Sequence, residues 1–320
     1  MNPNGFLVID KPAGVTSHDV VAAVRACTGI RKVGHTGTLD PFATGVLPLA
    51  LGRSTRLIQY LDESIKVYDA TVRLGAATDT GDPTGQVVRQ APLPDADEAA
   101  VEEVLAGFLG EREQVPPAYS AVKVGGKPMY SYARKGEAVT APARTITLHA
   151  LELLEYSTEV LRVRITCSRG TYARVLADEI AVALGSAGHL EALCRDRSGP
   201  FHLDDALGIQ ALADLVALEP GQAWKAVLMG KRGDPRVPWR PRDEVQASIV
   251  AHVRSELQSL SHLPIADVRE PDLARIKNGG TPPPPPRGVV LGGRYLVAFG
   301  DRLLAVAENA ARGPKLLRVL

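Results

Sequence analysis

Gly34-His35-Thr36-Gly37-Thr38-Leu39-Asp40-Pro41-Phe42-Ala43-Thr44-Gly45-Val46-Leu47-Pro48-Leu49 is the stretch whose reading decides the fold. Three glycines and two prolines in these sixteen residues exclude an ordinary helix, because Gly is too permissive and Pro removes a backbone donor. A solvated linker fits no better. Val46, Leu47 and Leu49 require burial, and the small residues let another backbone or a ligand come close. One carboxylate, Asp40, stands in the middle, with Pro41 fixing the chain after it. On local chemistry alone, Asp before Pro is a turn former that accepts backbone N–H groups.

Working outward, Phe6-Leu7-Val8-Ile9 reads as a short strand closed by the turn residues Asp10 to Gly14. Ser17 is the expected N-cap of a helix, with Asp19 near the positive end of its dipole. Val20, Val21, Val24 and Cys27 form its apolar face, and Gly29 stops it. Lys11, at a strand end beside a turn, is either a surface charge or a phosphate contact. On the other side, Lys66 to Leu74 alternates as a strand, with Tyr68, Ala70, Val72 and Leu74 on one face. Thr78 to Gly85 is a loop of turn formers. Asp95 or Asp97 opens a helix through Val101, Val104, Leu105 and Phe108. Strands are expected near 145–155 and 160–167, then a helix from about Thr171 to Leu184 ended by Gly185. Strands with helices interspersed in this way point to a mixed α/β sheet rather than a βαβ repeat. Between Gln114 and Lys135, Tyr119, Tyr130 and Tyr132 interleave with Lys123, Lys127, Arg134 and Lys135. That pattern suits unstacked bases and phosphates, and equally suits core packing.

After Phe201 the pattern thins. Leu203 to Leu215 is expected to be helical, and Gly230 to Arg242 reads as a basic, Pro-rich exposed connection. The run Pro282 to Pro286 has polyproline character. Val289-Val290-Leu291, Tyr295 to Ala298 and Leu303 to Ala307 read as short strands divided by Gly-Gly and Gly-Asp turns, a small β unit.

A length of 320 residues suggests two domains, or one with an appendage. The composition, 45% hydrophobic and 23% charged, is that of a globular protein with an ample core. A net charge of +1 leaves any RNA-binding surface to local asymmetry. Cys27, Cys167 and Cys194 are scattered, which fits reduced thiols rather than a disulfide framework or a zinc site. No leader and no apolar run of membrane-spanning length is evident, so a soluble cytoplasmic protein is expected. Walker A, H-E-x-x-H and Rossmann motifs are absent.

The stretch from Lys32 to Pro48 resembles the signature of bacterial tRNA pseudouridine-55 synthases, the TruB family. Asp10-Lys11-Pro12-x-Gly14-x-Thr16-Ser17 is similar to the family's opening motif. Lys66-x-Tyr68 and Gly170-Thr171-Tyr172-x-Arg174 fall where the family carries theirs. The resemblance spans about residues 5–201. It implies an α/β fold with a pseudouridine-synthase-type central mixed or antiparallel sheet flanked by helices, over residues 1–245. Residues 246–320 are then similar to a small β-rich, PUA-like RNA-binding domain.

The implied activity is isomerisation of uridine to pseudouridine at position 55 in the tRNA T-loop, with the base flipped out of its stack. Uracil is its own leaving group, so the resemblance implies no cofactor and no metal. Asp40 is implied as the carboxylate acting on the ribose, either as a nucleophile or by removing the 2′ proton. Arg174 is its charge partner, which keeps it ionised against desolvation. Tyr68 packs on the base and is the candidate for handling the carbon-5 proton. Tyr172 and Leu193 line the uracil pocket and His35 sits beside the extruded nucleotide. Lys11, from its place beside a turn rather than from the resemblance, is added as a substrate-binding candidate. The implied partner is tRNA alone, bound by a monomer with no guide RNA or obligatory protein. Arg56 stands where lysine is common in the family, and the connection from Ile209 to Arg242 follows no family pattern.

Three competing readings have their own discriminators. A glycosidase needs two carboxylates flanking the bond, and no second acid stands out in the motifs. A guide-dependent synthase would be inactive on bare tRNA. A non-catalytic RNA-binding or RNA-folding protein would have no need of Asp40, Tyr68 and Arg174 together.

Overall fold

A computed structural model describes residues 3–137, 139–216 and 240–320. Most of the connection expected over 230–242 lies outside the described residues.

The chain starts with β1 (Gly5–Lys11), α1 (Ser17–Thr28), β2 (Val33–His35) and β3 (Thr44–Leu51). β1 and β3 pair antiparallel from Gly5↔Leu51 to Lys11↔Gly45, and β2 pairs with the far half of β3. Their unbroken apolar runs are explained by burial on both faces. Leu7, Ile9, Leu47 and Leu49 point into one core, while Phe6, Val8, Val46 and Ala50 point into another. A period-2 polar alternation is therefore lost.

The N-cap of α1 is Thr16, one residue before the expected Ser17. The Thr16 hydroxyl accepts from the Asp19 N–H at 3.1 Å, and the Asp19 carboxylate accepts from the Thr16 N–H at 2.8 Å. This reciprocal capping box satisfies two orphan donors. Ser17 is thereby freed for another task. Its Oγ donates to Leu39 O at 3.0 Å and accepts from Leu39 N at 2.8 Å, tying the β2–β3 loop to the helix. Gly29 ends the helix at φ +71°.

β4 (Lys66–Leu74) is followed by the hairpin β5 (Ala76–Thr78) and β6 (Val87–Gln90), then by α2 (Glu98–Ala106), capped by Asp97. Next come β7 (Gly110–Gln114), the hairpin β8 (Lys123–Val124) and β9 (Lys127–Pro128), and α3 (Met129–Ala133). β10 (Arg144–Tyr156), β11 (Val160–Cys167), α4 (Ala173–Ala183) and β12 (Gly188–Ser198) complete the main body. β12 was not foreseen, yet it is a central strand between β3 and β4. Register shifts between Leu190/Ala192 and Arg195/Arg197 reset its side-chain alternation, so no period shows in the sequence.

The helix expected from Leu203 to Leu215 is half right. Leu203–Asp205 is a 3₁₀ turn after β13 (Phe201–His202), β14 (Leu207–Gly208) pairs parallel with β1, and only α5 (Ile209–Val216) is α-helical. The sheet runs β14-β1-β3-β12-β4-β11-β10-β7, with β13, β15 and β2 attached at its side. It is mixed, since β1/β14 and β3/β12 are parallel.

The C-terminal segment contributes α6 (Arg242–Val250), β15 (Val253–Arg254), α7 (Glu256–Ser259), β16 (Ile265–Asp267) and α8 (Leu273–Lys277). β17 (Arg294–Phe299), β18 (Arg302–Ala310) and β19 (Gly313–Val319) follow, forming a small sheet in the order β16-β17-β18-β19. Val289-Val290-Leu291 is not a strand: Val289 packs against the small core, while Val290 and Leu291 are exposed and lead into Gly292-Gly293. β19 was missed because Gly313-Pro314, Lys315 and Arg318 give an edge strand a polar look.

Mixed sheet, flanking helices and a small PUA-like β unit together match the expected fold class. The two parts share cores. β15 pairs with β1, and Val245 and Ile249 of α6 join the core under α1. Leu260, Leu296, Leu303 and Val306 pack with Phe6, Val8, Val46 and Phe201 on the opposite face. Glu256 accepts from Arg53 at 2.8 Å and from the Ser54 hydroxyl at 2.6 Å.

Candidate active site

The β2–β3 loop carries Asp40 into a cavity of about 1240 Å³, which His35, Tyr68, Tyr172, Arg174 and Leu193 also line. Residues distant in sequence meet there because α4 lies over the loop and β4 and β12 pair beside it. Five of the six further candidates are thus brought to Asp40; Lys11 is the exception.

Arg174, near the start of α4, is 5% exposed. Its Nε donates to Asp40 Oδ2 at 2.8 Å and its Nη2 to Asp40 Oδ1 at 3.4 Å. Nη1 donates to Thr80 O and Nη2 to Tyr119 O, both at 2.8 Å. This is a planar fork used on both edges, which a lysine could not reproduce. Burial nonetheless holds the Asp40 carboxyl above its ordinary value, with Arg174 opposing and Asp82 adding to the rise. The expectation that Arg174 cancels desolvation is therefore met only in part. The carboxylate is left more basic than a solvated one, which favours attack or proton removal.

Asp82 is a second acid that the sequence hid within a turn-forming loop. Its Oδ1 accepts from the Thr80 hydroxyl at 2.8 Å, the Thr84 hydroxyl at 2.6 Å and the Thr84 N–H at 3.0 Å. These bonds fix the loop that presents Thr80 O to Arg174.

Tyr68 is half-buried on β4, and burial pushes its hydroxyl pKa up while Arg195 opposes. The phenol therefore carries its proton at neutral pH. Tyr172 leads into α4 with its backbone held on both sides by the buried Gln114, which accepts from Tyr172 N at 2.8 Å and donates to Tyr172 O at 3.2 Å. Leu193 is buried on β12. His35 has an Nδ1 that is buried without a partner, and burial first, then Arg195, lowers its pKa toward a neutral ring.

Lys11 requires correction. It is 0% exposed, and its ammonium donates to Pro12 O and Val15 O at 2.8 Å and to Pro41 O at 3.3 Å. With three N–H groups spent on three carbonyls, it clamps the turn to Pro41 rather than meeting substrate.

Sequence reasoning also missed Arg195, because it falls in the unrecognised strand β12. Fully buried, it donates from Nε to Val46 O at 2.8 Å, and from Nη2 and Nη1 to Gly37 O and Thr38 O at 3.2 and 3.3 Å. It thus holds both ends of the Asp40 loop. Gly45 permits the approach. At φ +99°, a Cβ there would lie 2.3 Å from Arg195 O.

Of the interleaved tyrosines and cations, Tyr119, Lys123, Tyr130 and Arg134 line the cavity, joined by Arg144 and Arg169. The four cations are exposed. The Tyr132 hydroxyl instead donates to Val124 O at 3.0 Å. Among the described residues no cluster of three or more His, Cys, Asp or Glu is placed to hold a metal, and no helix is long and apolar enough to cross a membrane.

The family model described as "TruB family pseudouridylate synthase (N terminal domain)" matches residues 25–173. The chain is 47% identical over 216 residues to the tRNA pseudouridine synthase B of Francisella philomiragia, covering 67% of this chain and 72% of that one. It is 49% identical over 220 residues to the protein of the same name from Bacillus licheniformis, covering 67% and 71%. Among solved structures, a chain of a Cbf5-Nop10-Gar1 complex superposes with a TM-score of 0.68 at 25% identity, covering 98% of this chain and 84% of that one. With its loop, fork and cavity in place and relatives this close over two thirds of its length, the chain belongs to the TruB family of pseudouridylate synthases.

Proposed function

We propose that the protein isomerises uridine to pseudouridine at position 55 in the T-loop of tRNA, acting alone, without a guide RNA or a protein partner. The observation that carries this reading is the Asp40–Arg174 fork facing a cavity of about 1240 Å³. That space accommodates an extruded nucleotide together with its neighbours. Lys123, Arg134, Arg144 and Arg169 around the opening suit phosphates, which position the RNA while the flipped base is read inside.

In this mechanism Asp40 acts on the ribose while Arg174 holds it oriented. It either attacks carbon 1′ or removes the 2′ proton, and the bond from carbon 1′ to uracil N1 breaks. Uracil turns between Tyr68 and Leu193 and its carbon 5 bonds to carbon 1′. In the first route this displaces the Asp40 carboxylate; in the second, carbon 2′ takes its proton back from Asp40. The carbon-5 proton then leaves, with Tyr68 the candidate to relay it, and N1 gains one. A primary isotope effect on the 2′ hydrogen separates the two routes. His35 and Tyr172 flank the nucleotide.

The unit over 1–245 carries the chemistry, and the PUA-like unit over 246–320 grips the tRNA away from the flipped base. Incubating pure protein with unmodified tRNA and mapping pseudouridine by position tests the reading. Release of free uracil would instead indicate a glycosidase.

A further inference from the structure

We propose that Lys66 is a further catalytic residue, whose ammonium donates a hydrogen bond to the detached uracil ring and holds its negative charge. The inference rests on the isomerase reading above. Lys66 precedes Tyr68 by two residues on β4, so both side chains share one face of the strand. It is 6% exposed, yet it lines the cavity with Gly37, Tyr68 and Arg195. A Cβ placed on Gly37 would lie 3.8 Å from both Lys66 Nζ and Arg195 Nη1, so the two cations flank that glycine.

The partners of Lys66 leave it a donor to spare. Nζ donates to Ser198 Oγ at 2.6 Å and pairs with Glu63 at 3.5 Å. Those are its only partners among the described residues, against three ammonium N–H groups. Lys11 offers the contrast: equally buried, it meets three carbonyls and stays outside the cavity. The other buried cations of the site are committed, Arg174 to Asp40, Thr80 and Tyr119, and Arg195 to Gly37, Thr38 and Val46. A buried donor without an acceptor is costly unless a ligand supplies one.

The reaction supplies it. When the bond from carbon 1′ to N1 breaks, its electron pair stays on uracil, spread over N1 and the two carbonyl oxygens. That pair is consumed when carbon 5 bonds to the ribose. Lys66 keeps its own proton throughout and acts by charge and hydrogen bonding alone, strongest while the anion exists.

The charged and titratable groups around Lys66 are Glu63 from the preceding loop, Arg195 from β12 and Cys167 from β11, with Tyr68 and His35 on the same cavity. Burial is the largest influence and brings the Lys66 pKa down to about 8, with Glu63 opposing and Arg195 adding. The required cation is therefore lost as pH rises through about 8.

The test uses the full chain and unmodified tRNA, measuring first-turnover rate, tRNA affinity and pH profile. Lys66→Met should cut the rate roughly 100-fold, within the range for loss of one anion-stabilising donor, with affinity changed by less than about twofold. Lys66→Arg should retain activity to within about tenfold and lose the alkaline fall near pH 8, since Arg stays charged. With 5-fluorouridine at the target position, a better leaving group, the first-step deficit of Lys66→Met should shrink at least about tenfold. A merely structural lysine would give equal deficits on both substrates. If Lys66→Met does not fold, Lys66→Gln, which retains an N–H but no charge, is measured in its place.

Full rate in the uncharged variant, equal deficits on the two substrates, or an alkaline fall retained in Lys66→Arg would each overturn the role while leaving the isomerase reading intact. A wild-type protein inactive on tRNA would remove that reading, and this role with it.

Discussion

Arg174→Lys offers the sharpest view of how the site works. The guanidinium meets four acceptors, the two Asp40 oxygens, Thr80 O and Tyr119 O. A lysine has three N–H groups radiating from one point and cannot reach acceptors on both edges of a plane. At least one charge-assisted bond is lost, and each is worth about 1.5–3 kcal/mol. The Asp40 side chain is one-third exposed, so solvent screens part of the loss and the lower end of that range applies. A deficit of about 1.5–2 kcal/mol in transition-state stabilisation corresponds to roughly a 10–30-fold fall in kcat. Arg174→Ala removes the charge as well and should fall at least about 100-fold. Burial already holds the Asp40 carboxyl above its ordinary value, and losing Arg174 removes the main opposing influence. The acidic limb of the pH–rate profile should therefore move to higher pH in Arg174→Ala. The assay is single-turnover pseudouridine formation at saturating tRNA from about pH 5 to 8. Full activity in Arg174→Lys would refute the oriented-fork argument, and an unmoved acidic limb in Arg174→Ala would refute the electrostatic one.

Three further outcomes are expected. Tyr68→Phe keeps the aromatic face and should let the glycosidic bond break while slowing carbon-5 proton loss, so a rearranged intermediate should accumulate; unchanged steady-state turnover would limit Tyr68 to packing. The buried Lys11 has its pKa lowered from 10.5 to about 8, chiefly by burial, so above about pH 8 the unfolded chain holds more protons than the folded one and this group's contribution to stability rises with pH. From pH 7.5 to 9 that rise is about 1 kcal/mol, and urea unfolding should find it missing in Lys11→Met. Ending the chain at residue 239 should leave a protein that does not fold by circular dichroism, because Phe6, Val8, Val46, Leu57 and Phe201, all buried in the shared core, would lose their cover. At about 1.5–3 kcal/mol each, together roughly 8–15, the loss matches a typical total stability.

The last of these bears on what the sequence could and could not convey. Asp40, Tyr68 and Arg174 stand out only through the resemblance of their motifs to the family's, since local chemistry reads Asp40 as a turn former. Ser17 reads as the cap that Thr16 in fact supplies. The strand β12 was not legible, because two register shifts break its alternation, and Arg195 went unnoticed with it. Lys11 was misread because a lysine at a strand end looks solvated until the three carbonyls around it are in place. Asp82 was hidden because its role depends on a loop folding back on Thr80 and Thr84. The boundary near residue 245 rested on the resemblance of the C-terminal segment to a PUA-like domain. Val245 is in fact fully buried beneath α1, a long-range contact that no local pattern announces.

The central claim is that Asp40 performs the chemistry and that binding is carried elsewhere. Asp40→Asn is nearly isosteric but removes charge and basicity, and it leaves in place the rim cations proposed to meet phosphates. The most direct measurement maps pseudouridine along an unmodified tRNA after incubation with wild-type protein and with Asp40→Asn, with the affinity of each for that tRNA recorded alongside. Wild type should form pseudouridine at position 55 alone, and Asp40→Asn should form none while binding within a few-fold of wild type. Turnover by Asp40→Asn, with deamidation back to Asp excluded by mass spectrometry, would contradict the account.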